Sequence, residues 1–223
     1  MAKKIGLGKK KAEPPGKCHR LTPRPRKDLL AADVRPRRRS LNSRFFEAES
    51  PIMSLEVYDA SVPVFVNMLK NMRAWLEKAA SEKDQSTLTD ARLAPDMRPL
   101  VAQNQMASDS AKNALARLTG TEAPSMPDTE SSFDELKERV DRTIAYLNRF
   151  DRSALVGSDD REVVLKFPNG MGYRFKGAEF LTGFALPNFF FHATTAYAIL
   201  RQAGVSLGKP NFLQHLGPPN LEG

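Results

Sequence analysis

The fold of this 223-residue chain is decided by residues 187–204, which read PNFFFHATTAYAILRQAG. Pro187 suits the first turn of a helix because its φ angle is already helical, and Gly204 is a natural C-cap. Between these two residues, apolar and alanine side chains lie on nearly every side of the helix. We therefore predict a helix that occupies the middle of a helical core.

Three further segments have apolar residues at helical spacing and complete an all-α domain. Helix 1 is predicted over residues 57–83, and helix 2 over residues 97–118 with a face built largely from alanine. Such a face lets a neighbouring helix approach closely. Helix 3 is predicted to begin at a capping box formed by Ser132 and Glu135 and to end near Phe150.

A period of two interrupts the helical pattern before the last helix. Residues of the two strand faces alternate over 162–167 and again over 171–176, as in a β-strand. Between them, residues 168–170 form a Pro-Asn-Gly turn signal. Because two strands alone are only marginally stable, we expect this hairpin as an insertion between helices. Residues 178–186 are predicted as a short helix, and the tail from Ser206 as irregular. The predicted fold is an all-α, up-down four-helix bundle with a small β-hairpin before the last helix.

The net charge of +8 is the sum of +10 from the first 52 residues and −2 from the remainder. That segment contains 15 Lys and Arg against 5 Asp and Glu, whereas residues 53–223 contain 19 against 21. A basic chain normally suggests a nucleic-acid partner, because Lys and Arg neutralise phosphates. Since the remainder is slightly acidic, we do not expect the folded domain to bind nucleic acid.

Residues 1–52 are predicted to be disordered, because they contain six prolines and no lasting helical or strand period. We expect the start codon to be assigned too far upstream, with the native protein beginning at Met53. A basic tail that binds nucleic acid and an arginine-rich targeting segment remain the alternatives. The predicted organisation is a basic segment at 1–52, a bundle at 53–213 and an irregular tail at 214–223.

Composition excludes several classes of protein. No apolar run approaches the roughly 20 residues of a membrane helix. No apolar stretch of signal-peptide length follows the basic start, so we expect a cytoplasmic protein. Cys18 is the single cysteine, which rules out an intramolecular disulfide and a multi-cysteine zinc site. The sequence also lacks a glycine-rich phosphate loop and a Gly-x-Ser-x-Gly nucleophile motif.

His192 is the histidine best placed for chemistry, because it follows three phenylalanines on the predicted last helix. It is either a buried neutral imidazole with one hydrogen bond, or a metal ligand or general base. Asn188 lies one turn earlier on the same face, but Asn is a poor ligand for transition metals. Asp109 of helix 2 is a strong ligand type, so His192 and Asp109 are the catalytic candidates.

The polar residues of helix 2 have two interpretations. They form either the solvated face of an amphipathic helix or one wall of a polar pocket between helix 2 and the last helix. Residues of the last helix would then form the opposite wall. The residues expected to line such a pocket are Gln103, Gln105, Asp109, Lys112, Asn188, His192 and Tyr197.

Three strings are distinctive when taken together. They are LEVYDASVPVF at 55–65, QNQMASDSAK at 103–112 and FALPNFFFHATTAYAILR at 184–201. They resemble an uncharacterised bacterial family of unknown function within the DinB/YfiT-like helical-bundle superfamily. The resemblance covers about residues 53–213 and implies a four-helix bundle, with a homodimer through helix faces as an expected assembly.

In that superfamily a divalent metal is typically held by one histidine of helix 2 and by a His-x-x-x-His pair of helix 4. The resemblance places His192 at the second position of the pair and Asn188 at the first. On helix 2 it offers only Gln103, Asn104 and Gln105. Because two of the three histidines are missing, no cofactor is expected, and a zinc or nickel site is the alternative.

The resemblance and these residues support two functions. The first is a small-ligand-binding or interaction module with a degraded metal site, whose pocket is lined by Asn188, His192 and Gln103. The alternative is a metal-dependent enzyme of thiol transferase, isomerase or hydrolase type that uses His192 and Asp109, although fold alone does not transfer an activity. A basic-tailed nucleic-acid binder is a second alternative. The expected partners are an unknown small molecule and no membrane.

Overall fold

The computed structural model describes residues 56–221, so the predicted segment 1–52 lies outside the described residues. Within the described range, no helix is long and apolar enough to cross a membrane. Four long helices and one pair of strands make up this part of the chain, which confirms the predicted fold class. The helices are α1 (Val62–Glu82), α2 (Leu100–Thr119), α3 (Phe133–Leu147) and α4, which joins Gly177–Phe180, a π-helical turn at Leu181–Ala185 and Leu186–Gln202.

The ends of the helices follow local backbone signals. Pro99 is extended, with φ −71° and ψ 169°, so α2 begins three residues later than predicted. Gly120 ends α2 in the left-handed conformation, with φ 72°. The capping box of α3 forms as predicted, because Ser132 Oγ accepts from the Glu135 N–H at 3.3 Å and Glu135 Oε2 accepts from the Ser132 N–H at 3.0 Å.

The predicted hairpin forms between α3 and α4. Strands β1 (Glu162–Lys166) and β2 (Gly172–Lys176) pair antiparallel, with Leu165 opposite Tyr173. Gly170 in the turn has φ +81°, a conformation that glycine adopts without strain. Leu165 is buried, so one face of the hairpin packs towards the bundle.

Helices α1 and α4 run in the same direction. Phe65 contacts Phe189 with ring centroids 4.9 Å apart. Farther along both helices, Trp75 contacts Tyr197 with centroids 5.4 Å apart. The last helix therefore lies parallel to the first.

Helices α2 and α3 run opposite to α1 and α4, so the order of directions is up-down-down-up. This refines the up-down prediction, since α2 and α3 are consecutive and yet parallel. Each relative direction follows from two contacts at different positions along the bundle axis, because residue numbers rise along one helix and fall along the other. These contacts are Gln103–His192 (2.8 Å) and Ser110–Asn188 (2.7 Å) between α2 and α4, and Arg73–Asp141 (3.0 Å) and Gln85–Phe133 (3.1 Å) on the side of α1 and α3.

Two parallel consecutive helices require residues 120–132 to return along the bundle, and we call these residues the return segment. The 20-residue helix α2 is about 30 Å long at 1.5 Å per residue. Thirteen extended residues span up to about 43 Å, so the return segment is long enough. Its length alone does not predict the return, because the same number of residues also fits a connection between antiparallel helices.

Arg139 of α3 anchors the return segment and is fully buried. Its Nη1 donates to Pro127 O at 3.2 Å and to the two carboxylate oxygens of Glu130 at 3.0 and 3.1 Å. Its Nη2 donates to Asp109 of α2 at 2.8 Å. Gln105 Nε2 of α2 donates to Glu130 at 2.9 Å. One guanidinium thus joins α3, α2 and the return segment.

The Arg139 cluster remains charged at neutral pH. Burial raises the pKa of the Glu130 carboxyl, but hydrogen bonds from Gln105 and Arg139 outweigh burial and hold this pKa below its ordinary value of 4.5. Asp128 lies 3.0 Å from Arg139, and Lys112 lies 3.0 Å from Asp109. Carboxylates and cations therefore nearly balance within the cluster.

The C-terminal tail is more ordered than predicted. A short helix, α5 (Lys209–Phe212), lies against α1. Trp75 Nε1 donates to Asn211 O at 2.9 Å, and Asn71 Nδ2 donates to Phe212 O at 2.8 Å. Both donors belong to buried residues of α1, so the tail supplies the partners that these polar groups need.

Three local predictions differ from the structure. The last helix is less buried than its composition suggests, since it packs mainly on α1 and α2 and leaves Phe191 55% exposed. The short helix at 178–186 is not separate, because the π-helical turn joins it to the rest of α4. A 3₁₀ turn at Gln214–Leu216 interrupts the tail that was predicted to be irregular.

We predict that Arg139→Leu lowers the free energy of unfolding of the full chain by about 3–5 kcal/mol. The substitution leaves Glu130 and Asp109 without their buried counter-ion, and such breaks are strongly destabilising. Urea denaturation followed by circular dichroism measures the change. Arg142→Leu, at a half-exposed residue whose guanidinium lies 3.8 Å from Glu130, is the matched control and should cost less than about 1 kcal/mol. Equal losses in the two variants would contradict the anchoring role of Arg139.

Candidate ligand pocket

His192 is buried where α4 packs on α2, and it is bonded to Gln103. The His192 Nδ1 lies 2.8 Å from Gln103 Oε1, and Gln103 is only 1% exposed. Gln103 Nε2 donates to Arg98 O at 3.0 Å, which orients the amide so that Oε1 faces the imidazole. Since a carbonyl oxygen only accepts hydrogen bonds, the proton of the neutral imidazole lies on Nδ1.

The second ring nitrogen of His192 is left as an acceptor. Burial lowers the pKa of the imidazole below its ordinary value of 6.5, so the neutral form dominates at pH 7. Nε2 then carries a lone pair and no proton. Across residues 56–221 this atom has no hydrogen-bond partner, so it is available to a donor group of a ligand.

Asn188 lies one turn before His192 and also faces α2. Its Nδ2 donates to Ser110 Oγ at 2.7 Å, and Ser110 Oγ donates to Met106 O at 2.6 Å. The side chains of Asn188 and His192 therefore point towards helix 2, as the pocket interpretation requires. The opposite orientation would have weakened both site hypotheses.

The solvated-face interpretation of helix 2 does not hold for three of its polar residues. Gln103, Gln105 and Lys112 are 1%, 6% and 5% exposed. They are buried because two different neighbours cover α2: α4 covers Gln103, and the Arg139 cluster covers Gln105 and Lys112. The polar face of α2 is thus divided between a pocket and a structural cluster.

A cavity of about 270 Å³ lies between α2 and α4 beside Asn188 and His192. Its volume is near the lower end of the roughly 300–1,000 Å³ that small-molecule sites occupy. Each wall is a stripe of residues about one helical turn apart, so the two stripes face each other along the helix pair. The principal lining residues are Met106, Ser110, Asn113 and Arg117 of α2, and Phe180, Phe184, Asn188 and His192 of α4.

The π-helical turn of α4 forms part of the cavity wall. Phe184 and Ala185 belong to this turn, and both line the cavity. A π turn accommodates an extra residue within a helix and is frequent at functional sites. The irregular part of α4 therefore coincides with the pocket.

Asp109 lies at the rim of the cavity, but its carboxylate is already paired. It accepts from Arg139 Nη2 at 2.8 Å and lies 3.0 Å from Lys112 Nζ. Both cations contact Oδ1, so this oxygen is already engaged and is not free to bind a metal. The structure therefore does not favour the catalytic role considered for Asp109.

Two further pocket candidates lie outside the cavity. Gln105 bonds Glu130 within the Arg139 cluster. Tyr197 packs edge-on against Trp75 and Phe212, with ring centroids 5.4 and 5.5 Å apart. Of the predicted lining residues, Asp109, Asn188 and His192 line the cavity. Gln103 does not line it and contacts His192, and Gln105, Lys112 and Tyr197 lie elsewhere.

Sequence reasoning missed several residues of the cavity, among them Arg117 and Phe184. A signal for Arg117 was present, because residues 106, 110, 113 and 117 continue the face of Gln103 at helical spacing. Phe184 had no such signal. Its position depends on the π-helical turn, which periodicity does not reveal.

A larger cavity of about 520 Å³ lies near Arg152 and is the weaker candidate. Arg152 donates to Glu56 at 2.6 Å and to Asp59 at 2.6 and 2.7 Å, and its guanidinium lies 5.0 Å from the centre of the Tyr58 ring. These charged groups satisfy one another and leave none of themselves to orient a ligand. The cavity beside His192 has free polar groups instead.

Residues 57–213 match the model of a family described as a domain of unknown function (DUF1993). The chain belongs to this family. It is also similar to a solved structure described as a DinB family member protein from Shewanella denitrificans, with 36% sequence identity and a TM-score of 0.66. That match covers 74% of this chain and 94% of the other. No curated protein matches. The predicted DinB-like membership is confirmed for this DUF1993 domain.

The residues of the DUF1993 pocket do not fit the three-histidine metal centre that the resemblance implies. His192 is the single imidazole there. Its Nδ1–H donates to Gln103 and leaves Nε2 able to bind a metal, as in many metal sites, but it supplies only one of the three ligands. The other two positions hold the amides of Gln103 and Asn188, which are poor ligands for zinc or nickel. Among residues 56–221, no group of three His, Cys, Asp or Glu side chains could hold a metal ion.

We predict that His192 is the Nδ1–H tautomer and titrates below pH 6.5. Long-range ¹H–¹⁵N NMR of the full chain measures both properties. Gln103→Glu should raise the pKa of His192, because a carboxylate stabilises the imidazolium form. Gln202→Glu, an exposed residue near the end of α4, is the matched control and should leave the titration of His192 unchanged. An Nε2–H tautomer in the unmodified protein would contradict the proposed hydrogen bond.

We also predict that the full chain, purified without a histidine tag, contains far less than one equivalent of zinc or nickel. Elemental analysis by mass spectrometry measures the content. Asn188→His restores one of the two missing histidines and is expected to increase metal uptake, because imidazole is a far better ligand than an amide. Stoichiometric metal in the unmodified protein, lost in His192→Ala, would support the metal-enzyme alternative instead.

Proposed function

We propose that this DUF1993 domain binds a small organic molecule in the cavity between α2 and α4, without a metal ion. The observation that carries the proposal is the hydrogen bond between Gln103 and His192. It fixes the Nδ1–H tautomer, so that the buried, neutral imidazole presents Nε2 as an acceptor at the point where the superfamily resemblance expects a metal ligand. In this proposal, the imidazole that the resemblance places at a metal-ligand position orients an organic ligand instead.

The polar groups of the cavity are suited to orienting a ligand. Nε2 of His192 accepts a hydrogen bond, and the carbonyl oxygen of Asn188 is a second acceptor because its amide nitrogen is bonded to Ser110. Both side chains are held in place by partners on α2, so little conformational entropy is lost when a ligand binds. Fixed polar groups beside apolar side chains, here the rings of Phe180 and Phe184, are the usual composition of a small-molecule site.

The metal-enzyme alternative receives no support from the donor atoms of this cavity. The nucleic-acid alternative depends on residues 1–52, which lie outside the described residues, and not on the cavity. The proposal for the folded domain is therefore independent of both alternatives.

Small aromatic and aliphatic fragments, charged and neutral, should bind the full chain and perturb backbone amide resonances of α2 and α4. Protein-observed ¹H–¹⁵N NMR maps the perturbed residues. Asn113→Trp places an indole in the cavity and should weaken binding at least tenfold, because the space for the ligand is filled. Asn67→Trp introduces the same side chain on α1, outside the cavity, and should retain binding. Perturbations confined to other elements, or equal binding by both variants, would contradict the proposal.

A further inference from the structure

We infer that the cavity between α2 and α4 takes a small organic carboxylate, whose anionic group pairs with Arg117 and whose apolar body lies on Phe180 and Phe184. This inference rests on the proposed function and specifies its ligand class. It starts from the charge of Arg117, which no side chain among residues 56–221 neutralises.

Arg117 differs from Arg139 and Arg152, the two arginines of the ion-pair clusters described above. Arg139 and Arg152 each pair with two or more carboxylates. Arg117 lines the cavity, and within residues 56–221 it has neither a salt bridge nor a side-chain hydrogen bond. Although the residue is exposed at the cavity mouth, the surrounding protein partly desolvates the guanidinium and lowers its pKa. An anionic ligand would supply the missing counter-ion.

The one carboxylate of the cavity rim does not cancel this positive charge. Asp109 is held by Arg139 and Lys112, at 2.8 and 3.0 Å. His192 is neutral, because burial lowers its pKa. Among the titratable groups around the cavity, Arg117 therefore retains an uncompensated charge.

The antiparallel register of α2 and α4 separates the cavity into two ends. Gln103 lies beside His192 and Ser110 lies beside Asn188, so the polar end is near the start of α2. Arg117 lies about 10 Å farther along α2 than Ser110, at 1.5 Å per residue. The same register brings Arg117 to the level of the first turns of α4. The cation and the aromatic residues therefore share the second end.

Phe180 and Phe184 form an apolar shelf at that second end. Their rings are stacked, with centroids 6.0 Å apart and planes inclined by 20°, and both line the cavity. A flat aromatic surface favours a planar or branched apolar group of a ligand. A ligand that contacts both the shelf and Arg117 is amphipathic, with one anionic end.

A carboxylate fits this end better than a phosphate does. The planar guanidinium matches the two oxygens of a carboxylate in a bidentate pair. Arg117 lies in the last turn of α2, where the helix dipole places partial negative charge. This partial charge disfavours the double charge of a phosphate monoester more than the single charge of a carboxylate. The volume of about 270 Å³ also restricts the ligand to a small acid.

The test compares 3-phenylpropionate with its neutral amide, 3-phenylpropanamide, by NMR titration of the full chain at low ionic strength. The two probes have nearly the same shape, so a difference in affinity reports the charge. We expect the acid to bind about tenfold more tightly than the amide. Arg117→Gln should remove this difference by lowering the affinity for the acid and not that for the amide. Arg117→Lys should retain part of the difference. Arg149→Gln, an exposed arginine outside the cavity, is the matched control and should change neither affinity.

The outcomes separate this inference from the proposed function. Equal affinities of the two probes, with perturbed amides in α2 and α4, would overturn the choice of a carboxylate and leave the ligand-binding proposal intact. If Arg149→Gln lowers the affinity for the acid as much as Arg117→Gln does, the effect comes from the net charge of the protein, and the inference is overturned. If the acid binds selectively and Asn113→Trp does not lower its affinity, the site lies elsewhere. That result would overturn both the carboxylate inference and the proposed function. Absence of binding by either probe would overturn the inference, whereas the fragment set still tests the proposed function.

Discussion

The guanidinium of Arg139 joins three parts of the chain that are distant in sequence. It is buried among the carboxylates of Asp109, Asp128 and Glu130, which belong to α2 and to the return segment. The return segment must run the length of the bundle, because α2 and α3 are parallel. Burying a charge is costly unless its hydrogen bonds are satisfied. The cluster therefore favours one path of the return segment over others that would leave these charges unpaired.

The pocket depends on the same arrangement. Once α3 and the return segment cover one side of α2, the opposite side is left for α4. The fully buried alanines of α2, at positions 107, 111 and 114, permit a close approach of neighbouring helices. The polar stripe beside them then meets the polar stripe of α4. Asp109 stands between the two regions, and its pairing with Arg139 is what leaves Arg117 as the uncompensated charge of the cavity.

Features that depend on neighbours along the chain were predictable. The capping box of Ser132 and Glu135 and the hairpin turn at Gly170 need only residues within a few positions of each other. The four-residue spacing also placed Asn188 and His192 on one face of the helix, but it did not show which neighbouring helix that face meets. The family resemblance then indicated the bundle and the candidate site.

The sequence by itself determined where the helices and the hairpin form, since periodicity, caps and turns are local properties of the backbone. Only the tertiary structure decided that α2 and α3 are parallel, that Gln103 orients His192, and that Asp109 is neutralised while Arg117 is not. These features are set by which side chains meet across elements that are 30 to 89 residues apart. A buried polar group takes its state from its partners, and the partners are known only when the helices are packed.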